Sequence, residues 1–281
     1  MKYTLLLFGF ISLAFHSKGQ CNGSQNLCNK RYNEVAFLTT HNSFNTSADG
    51  FNFPNQNLTI QEQLAMGVRG FMLDVYNLNG TSTVYHAKKM LGTAPFASNL
   101  RDIKLFLDDN PNEVVTIILE CYVTATEIEN DLISTDLMSY VYSHKGYSWP
   151  TLNEMIVGNN RLVIFSDKQD ASPTQTWYHY IWEYAVETQF TVHKLSDFNS
   201  KFNRGDSANE LFILNHFETK SLLGTGNKKA AKAVNANPFF INRVLNCYRE
   251  TGKYPNFVTV DFVEIGDGMH VVNELNLPKQ D

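Results

Sequence analysis

The chain has 281 residues, a formal net charge of -5 and a pI of about 5.9. This charge balance, without any basic stripe, argues against a general nucleic-acid binder, which needs cationic side chains to neutralise phosphates. Hydrophobic residues make up 43% of the sequence and aromatic residues 13%, so the chain can bury a large core. Because no repeat, low-complexity tract or linker-like stretch interrupts it, a single large domain is expected.

The N-terminus has the organisation of a secretory signal peptide. Lys2 is followed by an apolar run, Leu5–Phe15, which is too short to span a membrane. The four residues before Cys21, Ser17-Lys18-Gly19-Gln20, match the cleavage site of a lipoprotein signal peptide poorly. We therefore assign residues 1–20 to a signal peptide and residues 21–281 to the mature domain, and expect a secreted, periplasmic or extracellular protein.

The sequence contains four cysteines, and export permits disulfide bonds. Cys21 and Cys28 lie seven positions apart in a polar segment, which predicts a disulfide that closes a small loop. Cys121 and Cys247 lie within apolar runs and are predicted to be buried thiols.

Strand-like and helical patterns alternate along the mature domain. The near-continuous apolar runs fit parallel strands covered on both faces. This alternation predicts an α/β fold, a distorted TIM (β/α) barrel with fewer than eight clean strand-helix units, and a doubly wound open sheet is the alternative. The predicted strands are 34–40, 68–76, 82–86, 114–122, 161–166, 211–215 and 257–263, and the helices are 59–66, 99–109, 126–142, 151–157 and 238–251.

Polar side chains stand at or near the carboxyl ends of several predicted strands. Barrel enzymes place their chemistry at that end of the strands, which favours the barrel over the open sheet. These residues are His41 and Asn42, Asp74, Glu120, Asp167 and Asp261.

Two predicted strands present a histidine at their ends, His41 after the strand 34–40 and His86 in the strand 82–86. A single histidine in such a place is more often structural, but two imidazoles could act as general base and general acid on a phosphodiester. Asn42, Asp74 and Glu120 supply the oxygen ligands that a hard cation such as Ca²⁺ prefers. The alternative for Asp74 is a structural ion pair, for example with Arg69, since a buried carboxylate needs a partner.

The motifs around these residues resemble, in order, the X-box of phosphatidylinositol-specific phospholipases C. They are Leu38-Thr39-Thr40-His41-Asn42-Ser43-Phe44, Gly67-Val68-Arg69-Gly70-Phe71-Met72-Leu73-Asp74-Val75-Tyr76, Tyr85-His86 and Val115-Thr116-Ile117-Ile118-Leu119-Glu120. Later segments, Trp149–Ile156 and Tyr254–Phe262, are similar to PLC X-domain-containing proteins without regulatory modules. The resemblance implies a distorted TIM barrel and attack of an inositol 2-hydroxyl on phosphorus, which releases the lipid alcohol and leaves a cyclic phosphodiester.

The resemblance also implies roles for individual residues. His41 and His86 would share the base and acid roles, in an order that the sequence leaves open. Small bacterial members use an arginine where calcium-dependent members have an acidic ligand, and this position is Asp74, so Asn42, Asp74 and Glu120 match calcium ligands. Met72 replaces a fourth acidic ligand of that branch, which predicts weaker calcium binding.

Other polar residues are candidates for supporting roles. Asp261 either orients a catalytic imidazole or forms a structural ion pair. Lys168, His216 and Arg69 are candidate substrate-binding residues. The expected partner is a phospholipid or inositol phosphodiester, with peripheral contact to a membrane surface, no nucleic acid, and a monomeric protein.

Two other functions remain open at the level of sequence. A different barrel phosphodiesterase, of the glycerophosphodiester or sphingomyelinase D type, would place Glu-x-Asp after the second strand, whereas this chain has Met72-Leu73-Asp74. A catalytically silent lipid- or glycan-binding barrel is favoured by Met72 alone, while the retained histidines and oxygen ligands argue against it.

Overall fold

The computed structural model describes residues 19–220 and 225–278, so the predicted signal peptide lies almost entirely outside the described residues. Its central element is one sheet that includes every strand. In chain order the strands are β1 Phe37–Thr40, β2 Gly70–Leu78, β3 Thr81–Val84, β4 Ala94–Pro95, β5 Val115–Cys121, β6 Leu162–Ser166, β7 Tyr178–Tyr180, β8 Ala185–Glu187, β9 Leu211–Asn215 and β10 Phe257–Val260.

Eight of these strands form a parallel path in the order β7-β6-β5-β2-β1-β10-β9-β8. Among the described residues no ladder joins β7 to β8, so the sheet is a curled half-barrel. The prediction of a distorted TIM barrel is confirmed. Parallel neighbours bring all carboxyl ends of these strands to the same rim, which is where the polar strand-end residues were predicted to meet.

Helices lie in the connections from β1 to β2, from β4 to β5, from β5 to β6 and from β9 to β10, and they cover the outside of the sheet. Three of them begin with a capping box, in which a threonine and a glutamate three residues later satisfy free backbone amides, as Thr59 and Glu62 do. The helices are α1 Ile60–Met66, α2 Phe96–Asp109, α3 Ala125–Ser134, α4 Leu152–Val157, α5 Lys228–Val234, α6 Phe239–Thr251 and α7 Gly268–Asn276.

The long helix predicted for 126–142 is instead two elements. α3 ends at Ser134, and a short 3₁₀ helix, Leu137–Tyr140, follows it. Between them Asp136 has a left-handed backbone with φ of 57°, which the α-helix cannot accommodate. The structure also contains β4, β7, β8, α5 and α7, which the sequence patterns did not predict. The three strands have two or three residues each, too few to show a periodicity.

Alternation along each strand separates the inside of the barrel from its outside. On β5, Ile117 and Leu119 belong to the core between sheet and helices, whereas Ile118 belongs to the core inside the barrel. Glu120 continues the inward series at the rim, where it lines a cavity. The same two-residue period therefore produces the apolar interior and the polar rim.

The predicted disulfide between Cys21 and Cys28 is confirmed, and Cys121 and Cys247 are buried free thiols as expected. In the described part of the chain, no helix has both the length and the apolar character needed to cross a membrane.

Candidate functional site

A cavity of about 390 Å³ opens at the carboxyl ends of the parallel strands. His41 and Asn42 follow β1, and Asp74 and Glu120 form the next-to-last pair of the parallel ladder between β2 and β5. His86 reaches the same cavity, and all five residues line it. The structure thus brings together the two histidines and the three oxygen ligands that the sequence singled out.

His86 reaches the cavity through a hairpin. β2 and β3 pair antiparallel and are joined at Asn79 and Gly80, both with positive φ, as a tight hairpin requires. The register pairs Val75 with Val84, so the returning strand delivers His86 close to the level of Asp74. Without this reversal, a histidine that follows β2 in sequence would lie beyond the rim.

His41 and Asp261 form a hydrogen-bonded pair. Nδ1 of His41 lies 2.9 Å from Oδ1 of Asp261, and the carboxylate is only 3% exposed. Burial raises the pKa of Asp261, while His41 and Asn55 oppose the shift. Because the carboxylate accepts a hydrogen bond from Nδ1–H, Nε2 is left as the nitrogen that can take up a proton. The ring stacks on Phe217 with a centroid distance of 4.0 Å, which holds its plane.

His86 has a different environment. Burial, and to a smaller degree the charge of His41, lowers the pKa of His86 to about 4. Its Nδ1 is buried, with no hydrogen-bond partner in the described part of the chain. His86 is therefore neutral at pH 7 without a ligand, and an anion in the cavity would favour its protonated form.

The acidic side of the cavity is formed by Asp74 and Glu120, which are paired Cα partners on β2 and β5. Burial, followed by the charges of Glu120 and Asp167, raises the pKa of Asp74 well above its ordinary value. Asp74 is 6% exposed, and among the described residues it has no cationic partner. The alternative of an ion pair between Asp74 and Arg69 is wrong, because Arg69 bonds Glu113 at 2.7 Å.

The donor chemistry of this side fits a hard cation, since two carboxylates and the amide of Asn42 face the same space. Mutual repulsion of the carboxylates is what a bound cation would relieve. The set is nevertheless small. Within the described ranges, no three Asp, Glu, His or Cys side chains are arranged to hold a metal ion. Met72 lines an adjoining pocket, where its side chain offers a thioether and no oxygen.

A second pocket adjoins this cavity, shares His41, Asn42, Asp74 and Glu120 with it, and contains a group that sequence reasoning missed. The guanidinium of Arg204 lies between the rings of Trp182 and Phe190, at 4.4 and 4.7 Å from their centroids. Its Nε donates to buried Glu187 at 2.5 Å, and the other oxygen of Glu187 accepts from Asn215 at 3.1 Å. Glu187 ends a three-residue strand and Arg204 lies in a loop, so no sequence pattern pointed to either.

Asp167 and Asn55 complete the surroundings. Asp167 lines the pocket that contains Arg204, and its carboxylate accepts a hydrogen bond from the backbone N–H of Cys121 at 2.9 Å. The sequence analysis noted its position at a strand end without giving it a role. Asn55 is fully buried behind His41 and donates to both oxygens of Asp261. Because Asn55 lies in a loop without periodicity, no signal in the sequence could identify it.

The structure does not bring the three predicted substrate-binding residues to the cavity. Arg69 precedes β2 at the opposite end of the barrel and bonds Glu113. Lys168 donates to the carbonyl of Val123 and pairs with Asp170, away from the cavity.

His216 follows β9, but its side chain turns into the core rather than the cavity. It is 0% exposed, stacks on Phe240 at 3.8 Å and bonds the carbonyl of Val234 through Nε2. Burial lowers the pKa of His216 well below its ordinary value, so the ring is neutral and structural.

Comparison with known proteins places these features in a family. The family model PI-PLC X 1, for the PI-PLC X domain, matches residues 27–276. A PI-PLC X domain-containing protein of Arabidopsis thaliana is 29% identical over 290 residues, covering 93% of this chain and 66% of that protein. An uncharacterised secreted protein of Arthroderma benhamiae is 26% identical, covering 88% of this chain and 61% of its own length. The chain thus spans slightly less than two thirds of the length of both relatives.

Solved structures show the same fold at lower sequence identity. The phosphatidylinositol-specific phospholipase C of Listeria monocytogenes is 18% identical with a TM-score of 0.59, covering 90% of this chain and 96% of that protein. The corresponding enzyme of Staphylococcus aureus, in a structure concerned with its membrane binding, is 13% identical with a TM-score of 0.59 and covers 89% and 95%. At these identities the likeness establishes the fold alone.

Proposed function

Since this chain belongs to the PI-PLC X domain family, we propose that it is a secreted phosphodiesterase that cleaves phosphatidylinositol-type phosphodiesters. The observation that carries the proposal is the placement of His41, held by Asp261, and of His86 on one cavity at the strand ends. A pair of imidazoles with different surroundings is what general base and general acid catalysis needs.

In the proposed reaction, Nε2 of His41 takes the proton of the inositol 2-hydroxyl, whose oxygen attacks phosphorus. The bond from phosphorus to the lipid oxygen breaks, and His86 gives its proton to that oxygen, releasing the lipid alcohol and a cyclic phosphodiester. Asp261 supports the positive charge that develops on His41. The anionic substrate raises the proton affinity of His86, whose pKa in the empty cavity is about 4.

We further propose that Asn42, Asp74 and Glu120 hold a calcium ion. Such an ion would offset the repulsion between the carboxylates and supply positive charge next to the phosphoryl oxygens. With two carboxylates in the set, we expect modest affinity.

We also propose that the protein acts as an exported monomer in peripheral contact with lipid surfaces. The apolar N-terminal run supports export, and one relative is named as a secreted protein. The fold shared with a bacterial enzyme studied for membrane binding supports a lipid substrate.

The test is product analysis with the mature protein on phosphatidylinositol vesicles, followed by phosphorus NMR. A cyclic inositol phosphate is expected, and His41→Ala and His86→Ala should each lose activity by about 10³-fold or more. The matched control is His270→Ala, because His270 is exposed on α7. A linear headgroup product would support a glycerophosphodiester-type enzyme, and full activity of His41→Ala would refute the mechanism.

A catalytically silent lipid- or glycan-binding barrel is the second candidate. The thioether of Met72 at the cavity and the incomplete acidic set favour it. Calorimetry with inositol 1-phosphate separates the two functions, because binding without turnover of any phosphodiester would support the silent barrel.

A further inference from the structure

Asn55 lies in the loop between β1 and α1, and its side chain is 0% exposed. Its Nδ2 donates to Oδ1 and Oδ2 of Asp261 at 3.2 and 3.1 Å and also lies 3.4 Å from Nδ1 of His41. Its Oδ1 accepts from Nδ2 of Asn45 at 2.7 Å and from Nδ2 of Asn42 at 3.3 Å. One buried amide thus contacts both the carboxylate behind His41 and the amide proposed to bind calcium.

These contacts allow only one orientation of the Asn55 amide. If the group were turned over, its oxygen would face the two carboxylate oxygens of Asp261, and its nitrogen would face the two donors of Asn42 and Asn45. Buried polar atoms in such positions are costly because water cannot replace the lost partners. The amide therefore has a defined direction, with donors toward Asp261 and the acceptor toward Asn42.

The backbone of Asn55 is held independently of its side chain. Its N–H donates to the carbonyl of Asn45 at 3.0 Å, and its carbonyl accepts from the N–H of Phe262 at 2.8 Å. Because Phe262 follows Asp261 directly, these bonds keep the loop beside β10 whatever the side chain is. A substitution at position 55 can thus remove the amide while the loop stays in place.

The Asn55 amide holds the carboxylate of Asp261 in its orientation toward His41. Among the described residues, the side-chain donors to this carboxylate are His41 and Asn55. Without the amide, the buried carboxylate would keep only the imidazole as a donor and could rotate away from it. The direction of the Nδ1–H of His41, and with it the direction of Nε2, depends on that carboxylate.

The same amide orients Asn42. Because Nδ2 of Asn42 donates to Asn55, its Oδ1 is the atom left for a ligand in the cavity that Asn42 lines. Within residues 19–220 and 225–278, no group of the protein donates to this oxygen. Asn55 therefore selects the oxygen, rather than the nitrogen, of Asn42 for the site.

We infer that Asn55 is a positioning residue that sets two parts of the site at once, the direction of the His41 imidazole through Asp261 and the ligand oxygen of Asn42. This inference rests on the proposed function, in which His41 is the base. It adds a residue that contacts neither substrate nor metal.

The test compares Asn55→Leu with Asn256→Leu in the mature protein. Asn256 is the matched control because it is also 0% exposed and makes three hydrogen bonds, with Asn33, Val35 and Phe212, at the opposite end of the barrel. Both variants lose a buried amide, so a general loss of stability affects both. Asn55→Leu should lower kcat by about 100-fold with little change in KM for the phosphodiester, while kcat per folded molecule of Asn256→Leu stays within about threefold.

A second readout does not depend on activity. The proton on Nδ1 of His41, bonded to Asp261, should give a downfield proton NMR resonance that disappears in His41→Gln. The resonance should be shifted or lost in Asn55→Leu and retained in Asn256→Leu. Unchanged resonance and kcat in Asn55→Leu would overturn the inference. If the unsubstituted protein shows the resonance but cleaves no phosphodiester, the proposed function fails. The role of Asn55 is then judged by the resonance alone: a shift in Asn55→Leu supports it, and an unchanged resonance overturns it.

Discussion

Nδ1 of His41 lies 2.9 Å from Oδ1 of Asp261, although the two residues are 220 positions apart in the chain. The contact follows from the sheet order, in which β1 and β10 are parallel neighbours and Thr40 pairs with Val260. The residues that follow this pair, His41 and Asp261, therefore lie at the same height on the rim. The first and last strands of the barrel together create the pair that the proposed mechanism uses.

Replacing Asp261 by Asn should lower kcat by about 10³–10⁴-fold, because an amide can donate to Nδ1 and favour the wrong tautomer of His41. Turnover on phosphatidylinositol vesicles measures the effect, and circular dichroism checks that the fold remains. The control is Asp109→Asn, since Asp109 is exposed at the end of α2. A loss of less than tenfold would show that the carboxylate is only a structural partner.

Replacing Asp74 by Asn should stabilise the calcium-free protein by about 1 kcal/mol and remove any calcium-dependent activity. The reason is that burial and the charges of Glu120 and Asp167 disfavour the ionised form of Asp74, as the raised pKa of this carboxyl shows. Thermal unfolding with EDTA and with calcium measures both effects. Calcium should raise the Tm of the unsubstituted protein and not that of the variant. Equal calcium shifts in the two proteins would place the ion elsewhere.

The free energy of unfolding should fall as the pH is lowered from about 6.5 to 4, in part because of His179. Its Nδ1 bonds the carbonyl of Ile164 and its Nε2 accepts from the N–H of His144, so the folded ring is neutral. Burial lowers the pKa of His179 to about 4, whereas the unfolded chain takes up this proton near pH 6.5. Between pH 4 and 6.5 the unfolded state therefore binds more protons than the folded state. For this one histidine, the free energy of unfolding falls by at most about 1.4 kcal/mol for each pH unit of acidification.

Urea unfolding at pH 7, 6 and 5 checks this dependence. His179→Gln should be less stable at pH 7, because it loses part of this bonding, yet its free energy of unfolding should fall less steeply with acid. The difference between the two slopes isolates His179 from the carboxylates, which titrate in both proteins. Identical slopes would mean that the histidine is not neutral in the folded state.

Replacing Arg204 by Met should raise KM by about tenfold and leave kcat within about threefold. The guanidinium is fixed by Glu187 and two aromatic rings, and in the described chain its terminal nitrogens donate to no protein group. They are therefore free to bond headgroup oxygens in the cavity. Steady-state kinetics measures the change, with Arg249→Met as the control because Arg249 lies exposed on α6. An unchanged KM would exclude Arg204 from substrate binding.

Much of the fold could be predicted from local patterns. Apolar β-rich runs indicated the long strands, and the helices predicted for 59–66 and 151–157 match α1 and α4 to within one residue. On β2 the two-residue period of a strand puts Met72 and Asp74 on the same face, and both line the pocket that contains Arg204. The short strands β7 and β8 escaped prediction, because three residues do not establish a period.

The sequence by itself determined which strands end in chemically active side chains, because a residue's face and its distance from a strand end are local properties. Only the tertiary structure decided which of these side chains meet. His216 and Lys168 follow strands just as His41 does, but packing turns one into the core and an ion pair holds the other aside. Asn55, Glu187 and Arg204 join the site through contacts between segments far apart in the chain. Such contacts depend on how the sheet curls and where loops cross its rim, and no local pattern encodes them.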